Sequence, residues 1–140
     1  MLRTLTLILP FLLVIGESAD AQSVQRVNAR NGMTAIGTAQ DFEVLSRAGA
    51  SKNDYLCAAG TFADRRAGAA QNDWVIVTRA LGPSAFVGSR RGVAFTVNGA
   101  AGDGGDGRSF LNSGQGIGTS TRVGTALHHC RTSRTRDSSR

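Results

Sequence analysis

Apolar and polar positions alternate in three segments of the chain and predict three strands there. Phe42 and Val44 alternate with acidic neighbours in residues 41–44, a period of two that is typical of a half-buried strand. The β-branched run at residues 74–77 predicts a central strand. Apolar residues recur at every second position in residues 93–98, which predicts a further strand.

A helical period begins after Ser51 and predicts a helix that ends near Gly68. Ser51 and Asp54 have the spacing of a capping box, with aspartate in place of glutamate. The apolar side chains that share one face of this helix are Tyr55, Ala58, Ala59, Phe62 and Ala63. Gly60 lies inside the helix, where glycine costs about 1 kcal/mol relative to alanine, so we expect another element to approach closely there.

The remaining segments predict a loop, a second helix and an irregular lead-in. Residues 99–118 are rich in glycine and predict a long mobile loop. A short helix is predicted from about Thr121 to Arg131, because its apolar side chains, including Cys130, share one face. Residues 22–38 have few apolar side chains and predict an irregular or weakly paired segment. The element order predicts an α+β fold, with a small antiparallel sheet packed by a Cys-bearing helix and a short C-terminal helix.

The N-terminal segment has the three-part pattern of a secretory signal peptide. A cationic head precedes an uncharged apolar run at residues 5–15, and Ala19 and Ala21 place small residues at the cleavage positions. The run is about eleven residues long, shorter than the roughly 20 that a membrane-spanning helix needs. We therefore expect residues 1–21 to be removed, a periplasmic or secreted location and no transmembrane segment in the mature chain.

The mature chain has the length of one domain. We predict a single α+β domain over residues 22–131, followed by a disordered, arginine-rich tail at residues 132–140. Cys57 and Cys130 are the cysteines of the chain, and an even count in an oxidising compartment predicts a disulfide between them. A catalytic thiol is the alternative, but it needs a nearby base and an orienting group that the sequence does not indicate.

The formal net charge is +6 at pH 7, supplied almost wholly by arginine. A basic exported protein is attracted to anionic envelope components such as lipid headgroups and cell-wall polymers. The candidate anion-binding residues are Arg65, Arg66, Arg90 and Arg91, because each guanidinium can bind a carboxylate or phosphate through two N–H groups. Solvated arginines that do not converge are the alternative. The expected export and the absence of interleaved aromatic residues argue against nucleic acid as a partner.

No catalytic or metal-binding pattern emerges from the other polar residues, and we predict no cofactor. Asp103 and Asp106 lie in a Gly/Asp-rich segment, but a single copy without a closing glutamate does not match a calcium-binding loop. His128 and His129 are adjacent on the predicted helix and point about 100° apart, so they cannot chelate a metal from one face. We expect one of them to be exposed and the other partly packed.

The segment from Tyr55 to Gly60 (YLCAAG), between a Phe-Glu-Val strand and a Trp-Val-Ile-Val strand, resembles a group of small exported bacterial proteins of unknown function. The resemblance covers roughly the central half of the chain. It implies the order strand, Cys-bearing helix, strand, and a structural role for Cys57, and it implies no activity.

Three functions remain open from the sequence. The first is a non-enzymatic envelope or secreted protein that binds an anionic partner. The second is a small hydrolase whose site is assembled from residues distant in the sequence. The third is a structural or interaction protein that acts through its Gly-rich loop.

Overall fold

A computed structural model describes residues 23–106, 108–112 and 114–137, so the predicted signal peptide lies outside the described residues. These residues form eight elements in the order β1 (Gln25–Asn28), β2 (Thr34–Gly37), β3 (Phe42–Leu45), α1 (Lys52–Arg65), β4 (Trp74–Pro83), β5 (Arg91–Asn98), β6 (Ser120–Arg122) and α2 (Val123–Asp137). The strands form one sheet in the order β1-β2-β3-β5-β4-β6, and every neighbouring pair is antiparallel. The predicted α+β class, with an antiparallel sheet and two helices, is confirmed.

The core lies between the sheet and α1. Phe42 stacks on Phe62 of α1 at a centroid separation of 4.3 Å and on Phe95 of β5 at 5.9 Å. The predicted capping box is present, because the Asp54 carboxylate accepts a hydrogen bond from the Ser51 N–H at 2.8 Å and the Ser51 hydroxyl accepts one from the Asp54 N–H at 3.4 Å. Local signals in the sequence therefore set where α1 begins.

α2 covers the side of α1 that faces away from the strands. The predicted disulfide is confirmed and joins Cys57 of α1 to Cys130 of α2, with their Cα atoms 4.8 Å apart. The predicted helix began at Thr121, which instead belongs to β6. α2 continues past the predicted end at Arg131 and takes in residues 132–137, which the sequence assigned to the tail. Residues 138–140 lie outside the described residues.

The lead-in was predicted to be irregular or weakly paired over residues 22–38, but its described part, residues 23–38, is not, which corrects the prediction. It forms the β1–β2 hairpin, in which Val27 pairs with Ala35 and Met33 is buried. The hairpin buries small residues and one methionine rather than a run of β-branched side chains, so its apolar pattern is weak. The Asn31–Gly32 pair in its turn is the signature that could have predicted it.

The Gly-rich loop is anchored in the core by Phe110, which corrects the expectation of a wholly mobile segment. The Phe110 side chain is 0% exposed and meets the rings of Tyr55 and Phe95 edge to face at 6.2 and 5.9 Å. The Asp106 carboxylate accepts hydrogen bonds from the N–H groups of Arg108 at 2.9 Å and Gly116 at 3.1 Å. These bonds hold the two arms of the loop together on either side of Phe110.

Candidate functional site

The four arginines proposed from the sequence do not form one cluster. Arg65 lies in the last turn of α1 and Arg66 caps that helix, whereas Arg90 and Arg91 lie at the start of β5. Burial raises the pKa of Tyr55 in the first turn of α1, and the charge of Arg91 acts in the opposite direction, so Arg91 lies near that turn. Tyr55 and Arg65 are about 15 Å apart along the helix axis at 1.5 Å per residue. The two arginine pairs therefore lie at opposite ends of α1.

Arg65 instead converges with two arginines that the sequence analysis did not select. A cleft of about 190 Å³, called the anion cleft below, contains Arg30 and Arg131 beside Arg65. Its full lining is Arg30, Thr61, Asp64, Arg65, Leu127, Cys130 and Arg131. Because the three arginines come from the β1–β2 turn, α1 and α2, only the folded chain brings them together.

Backbone and amide hydrogen bonds fix Arg30 at the rim of the anion cleft. Within the β1–β2 turn, the Ala29 N–H donates to the Met33 carbonyl at 2.8 Å. The Asn31 side-chain amide donates to the Asp54 carbonyl of α1 at 2.8 Å and so ties this turn to the helix. Arg131 is held on the other side by the disulfide at the neighbouring Cys130.

The charge of the anion cleft is mainly positive, with Asp64 as its carboxylate. Within the described parts of the chain, neither Arg30 nor Arg65 forms an ion pair, and the salt bridge that the structure shows there joins Arg79 to Glu43 elsewhere. Arginines without a carboxylate partner keep their N–H donors available to an incoming anion. The arginine side of the cleft therefore presents N–H donors of the kind that phosphate and carboxylate groups accept from.

The wall of the anion cleft contains no activated nucleophile. The Thr61 hydroxyl donates to the Cys57 carbonyl at 2.8 Å and lies 3.7 Å from the Cys130 sulfur. Neither of these groups is a base that could take the hydroxyl proton, and the Cys130 sulfur is bound in the disulfide. The arrangement is suited to binding an anion rather than to activating a hydroxyl or thiol.

A second cleft of about 290 Å³ lies beside the anion cleft and is lined by Gln71, Gly124, Leu127, His128 and Arg131. His128 is exposed there, whereas His129 is half-buried, as the sequence predicted. Burial lowers the pKa of His129, and the nearby His128 and Lys52 lower it further.

The buried carboxylate of Glu43 serves the fold. Glu43, at 1% exposure, lies under the loop that follows β4 and accepts hydrogen bonds from the Arg79 guanidinium, the Ser84 hydroxyl and the Ala85 N–H. Burial raises the pKa of Glu43, but these three donors outweigh burial and hold it below its ordinary value. Glu43 therefore ties the β4–β5 hairpin to β3. The strand is buried on both faces for this reason, and not half-buried as its alternation predicted.

The described residues do not form a candidate metal-binding site. Among residues 23–106, 108–112 and 114–137, no group of three or more His, Cys, Asp and Glu side chains could hold a metal ion. In the Gly-rich loop, the Asp103 carboxylate accepts a hydrogen bond from the Gly105 N–H at 2.9 Å, so it stabilises the local turn. Neither of the helices in these residues has the length and apolar character needed to cross a bilayer.

No family model, curated protein or solved structure matches this chain.

Proposed function

We propose that this chain is an exported, non-enzymatic protein that binds an anionic envelope component through the anion cleft. The observation that carries the proposal is the convergence of Arg30, Arg65 and Arg131 on one cleft from three separate elements. Each guanidinium presents a planar set of N–H donors that matches a phosphate or carboxylate. Asp64 on the same cleft disfavours an anion on its own side, so it favours one orientation of the bound group.

Export is supported by two independent features of the chain. The pattern of residues 1–21 is that of a signal peptide, and such peptides direct chains to the periplasm or the medium. The Cys57–Cys130 disulfide fits an oxidising compartment, where disulfides form and persist. Anionic lipid headgroups and cell-wall polymers are abundant in that compartment, and a net charge of +6 favours encounter with them.

Binding depends on the two unpaired arginines more than on total charge. The double variant Arg30→Gln/Arg65→Gln removes two charge-assisted hydrogen-bonding groups, each worth about 1.5–3 kcal/mol, so we expect at least a tenfold loss of affinity for an anion. The matched control Arg26→Gln/Arg66→Gln makes the same charge change outside the cleft lining, at a neighbouring strand position and at the helix cap.

Calorimetric titration of the disulfide-bonded protein with inorganic phosphate and with phosphatidylglycerol vesicles measures this difference. We expect the cleft variant to lose affinity and the control to stay within about twofold, because screened surface charges contribute little. Equal losses in both variants, or no binding of either probe, would show that the cleft is not a binding site. Binding of the vesicles without binding of phosphate would identify a lipid headgroup as the source of the anion.

A further inference from the structure

The anion cleft and the second cleft share one wall. Leu127 and Arg131 line both clefts and lie on the same face of α2, because they are four positions apart. Cys130 lies to one side of that face and His128 to the other, in keeping with about 100° of rotation per residue. The Leu127–Arg131 stripe is therefore a ridge between two adjacent clefts, called the ridge below.

The second cleft also presents donors to an anion. Gln71, His128 and Arg131 carry N–H groups, and the lining of this cleft contains no carboxylate. Like the arginine side of the anion cleft, the second cleft therefore presents hydrogen-bond donors and no carboxylate. A ligand with a single charged group would use only one of these two places, whereas a ligand with repeated charges could use both.

We propose that one linear polyanion occupies both clefts and crosses the ridge, with one charged group beside Arg30 and Arg65 and another beside Gln71 and His128. The proposal rests on the proposed function of the anion cleft and extends it from a single anionic group to a chain of phosphates or carboxylates. Arg131 faces both clefts and contacts the segment of the chain that crosses between them.

The shape of this surface favours a chain over a flat bilayer. Thr61 in the wall of the anion cleft is buried, so a flat surface does not reach the inside of that cleft. A flexible chain bends over the ridge. Its second contact is then intramolecular, and such linkage raises affinity by about 10²–10⁴-fold when the connecting length matches the span.

The test compares inorganic phosphate with long-chain polyphosphate in calorimetric titrations of the disulfide-bonded protein at fixed ionic strength. The second-cleft variant is Gln71→Ala/His128→Gln, the anion-cleft variant is Arg30→Gln/Arg65→Gln, and Arg66→Gln is the control. We expect the second-cleft variant to keep the phosphate affinity of the anion cleft and to lose at least tenfold in polyphosphate affinity. The anion-cleft variant loses both affinities, and the control loses neither.

The outcomes separate the two proposals. If the second-cleft variant binds polyphosphate as tightly as the unsubstituted protein while the anion-cleft variant does not, the two-cleft ligand is overturned and the anion cleft stands alone. If phosphate, polyphosphate and vesicles all fail to bind, or bind without any dependence on Arg30 and Arg65, the proposed function itself fails. Phosphatidylglycerol vesicles that bind more tightly than polyphosphate, with the same loss in the second-cleft variant, would overturn the choice of a linear chain.

Discussion

Gly60 of α1 touches Ala126 of α2 so closely that a Cβ atom at Gly60 would lie 2.8 Å from the Ala126 Cβ and 3.0 Å from the Leu127 nitrogen. The absence of a side chain at Gly60 therefore lets the two helices meet. This approach places Leu127 and Cys130 beside Thr61, which completes the wall of the anion cleft. The close contact of another element at Gly60 was expected from the sequence and is confirmed.

Replacing Gly60 by alanine should destabilise the protein although alanine is the better helix former. Overpacking costs about 1–3 kcal/mol and the gain in helix propensity is about 1 kcal/mol, so we expect a net loss of up to about 2 kcal/mol in the free energy of unfolding. Urea denaturation measures it. The control is Gly124→Ala in α2, where a Cβ meets its nearest neighbour, the Gln71 side chain, at an ordinary 3.4 Å. A stabilised Gly60→Ala protein would contradict the close approach.

Loss of the disulfide should lower stability strongly. The bond closes a segment with a sequence separation of 73, for which loop-closure entropy gives about 4 kcal/mol. We expect Cys57→Ala/Cys130→Ala to lose roughly 2–5 kcal/mol in chemical denaturation. Intact-mass analysis with and without reductant checks the bond itself, and two free thiols in the air-handled protein would contradict it.

Phe110 should behave as a core residue although it lies in the Gly-rich loop. Its complete burial predicts that Phe110→Ala costs about 3–5 kcal/mol, because a large cavity opens between Tyr55 and Phe95. Ile117, 49% exposed in the same loop, is the matched control, and Ile117→Ala should change stability by less than about 0.5 kcal/mol. Equal effects in thermal unfolding would mean that the loop is not anchored.

Acid should lower the stability of the fold through protonation of Glu43. Since the folded pKa lies below the ordinary value of 4.5, the unfolded chain binds a proton first as the pH falls. The contribution of Glu43 to the free energy of unfolding is therefore complete above pH 4.5. It is lost as the pH falls below 4.5 toward the lower pKa of the folded state. In the Glu43→Gln variant, one of the buried donors to Glu43 loses its hydrogen-bond acceptor. We therefore expect the free energy of unfolding to fall by about 1–3 kcal/mol at neutral pH.

The unsubstituted protein and the Glu43→Gln variant differ in free energy of unfolding. The pH dependence of that difference distinguishes a role of the Glu43 charge from a role of its packing. Denaturation of both proteins between neutral pH and pH about 3 should show the difference in their free energies of unfolding narrowing with acid, since the unfolded chain binds a proton at Glu43 before the folded chain does. A gap that stays constant across this range would show that the charge of Glu43 contributes nothing.

Local patterns predicted the parts of the fold that depend on neighbouring residues. The Ser51 cap, the helix that follows it and the strand β5 were predicted from signals local in sequence, and each is present. The alternation in β5 is not matched by burial, because residues 92–95 are all buried. The β1–β2 hairpin was missed because its buried positions include the small residues Ala29 and Ala35, whose apolar period is weak.

The site was only partly predictable because it depends on topology. Arg65 was one of the candidate anion-binding residues, but Arg30 and Arg131, which line the same cleft, are far from it in sequence. The position of Arg91 depends on how the strands pair. The register of β3 on β5 places Leu45 opposite Gly92, so β5 begins near the first turn of α1 and away from Arg65.

The most direct test of the account is the footprint of a bound anion on the protein. Amide chemical shifts of isotopically labelled, disulfide-bonded protein, followed by NMR during titration with inorganic phosphate, locate it residue by residue. The account predicts saturable shifts concentrated at Arg30, Thr61, Arg65 and Leu127. Shifts centred on Arg91 at the opposite end of α1, or spread evenly over the basic surface without saturation, would contradict it.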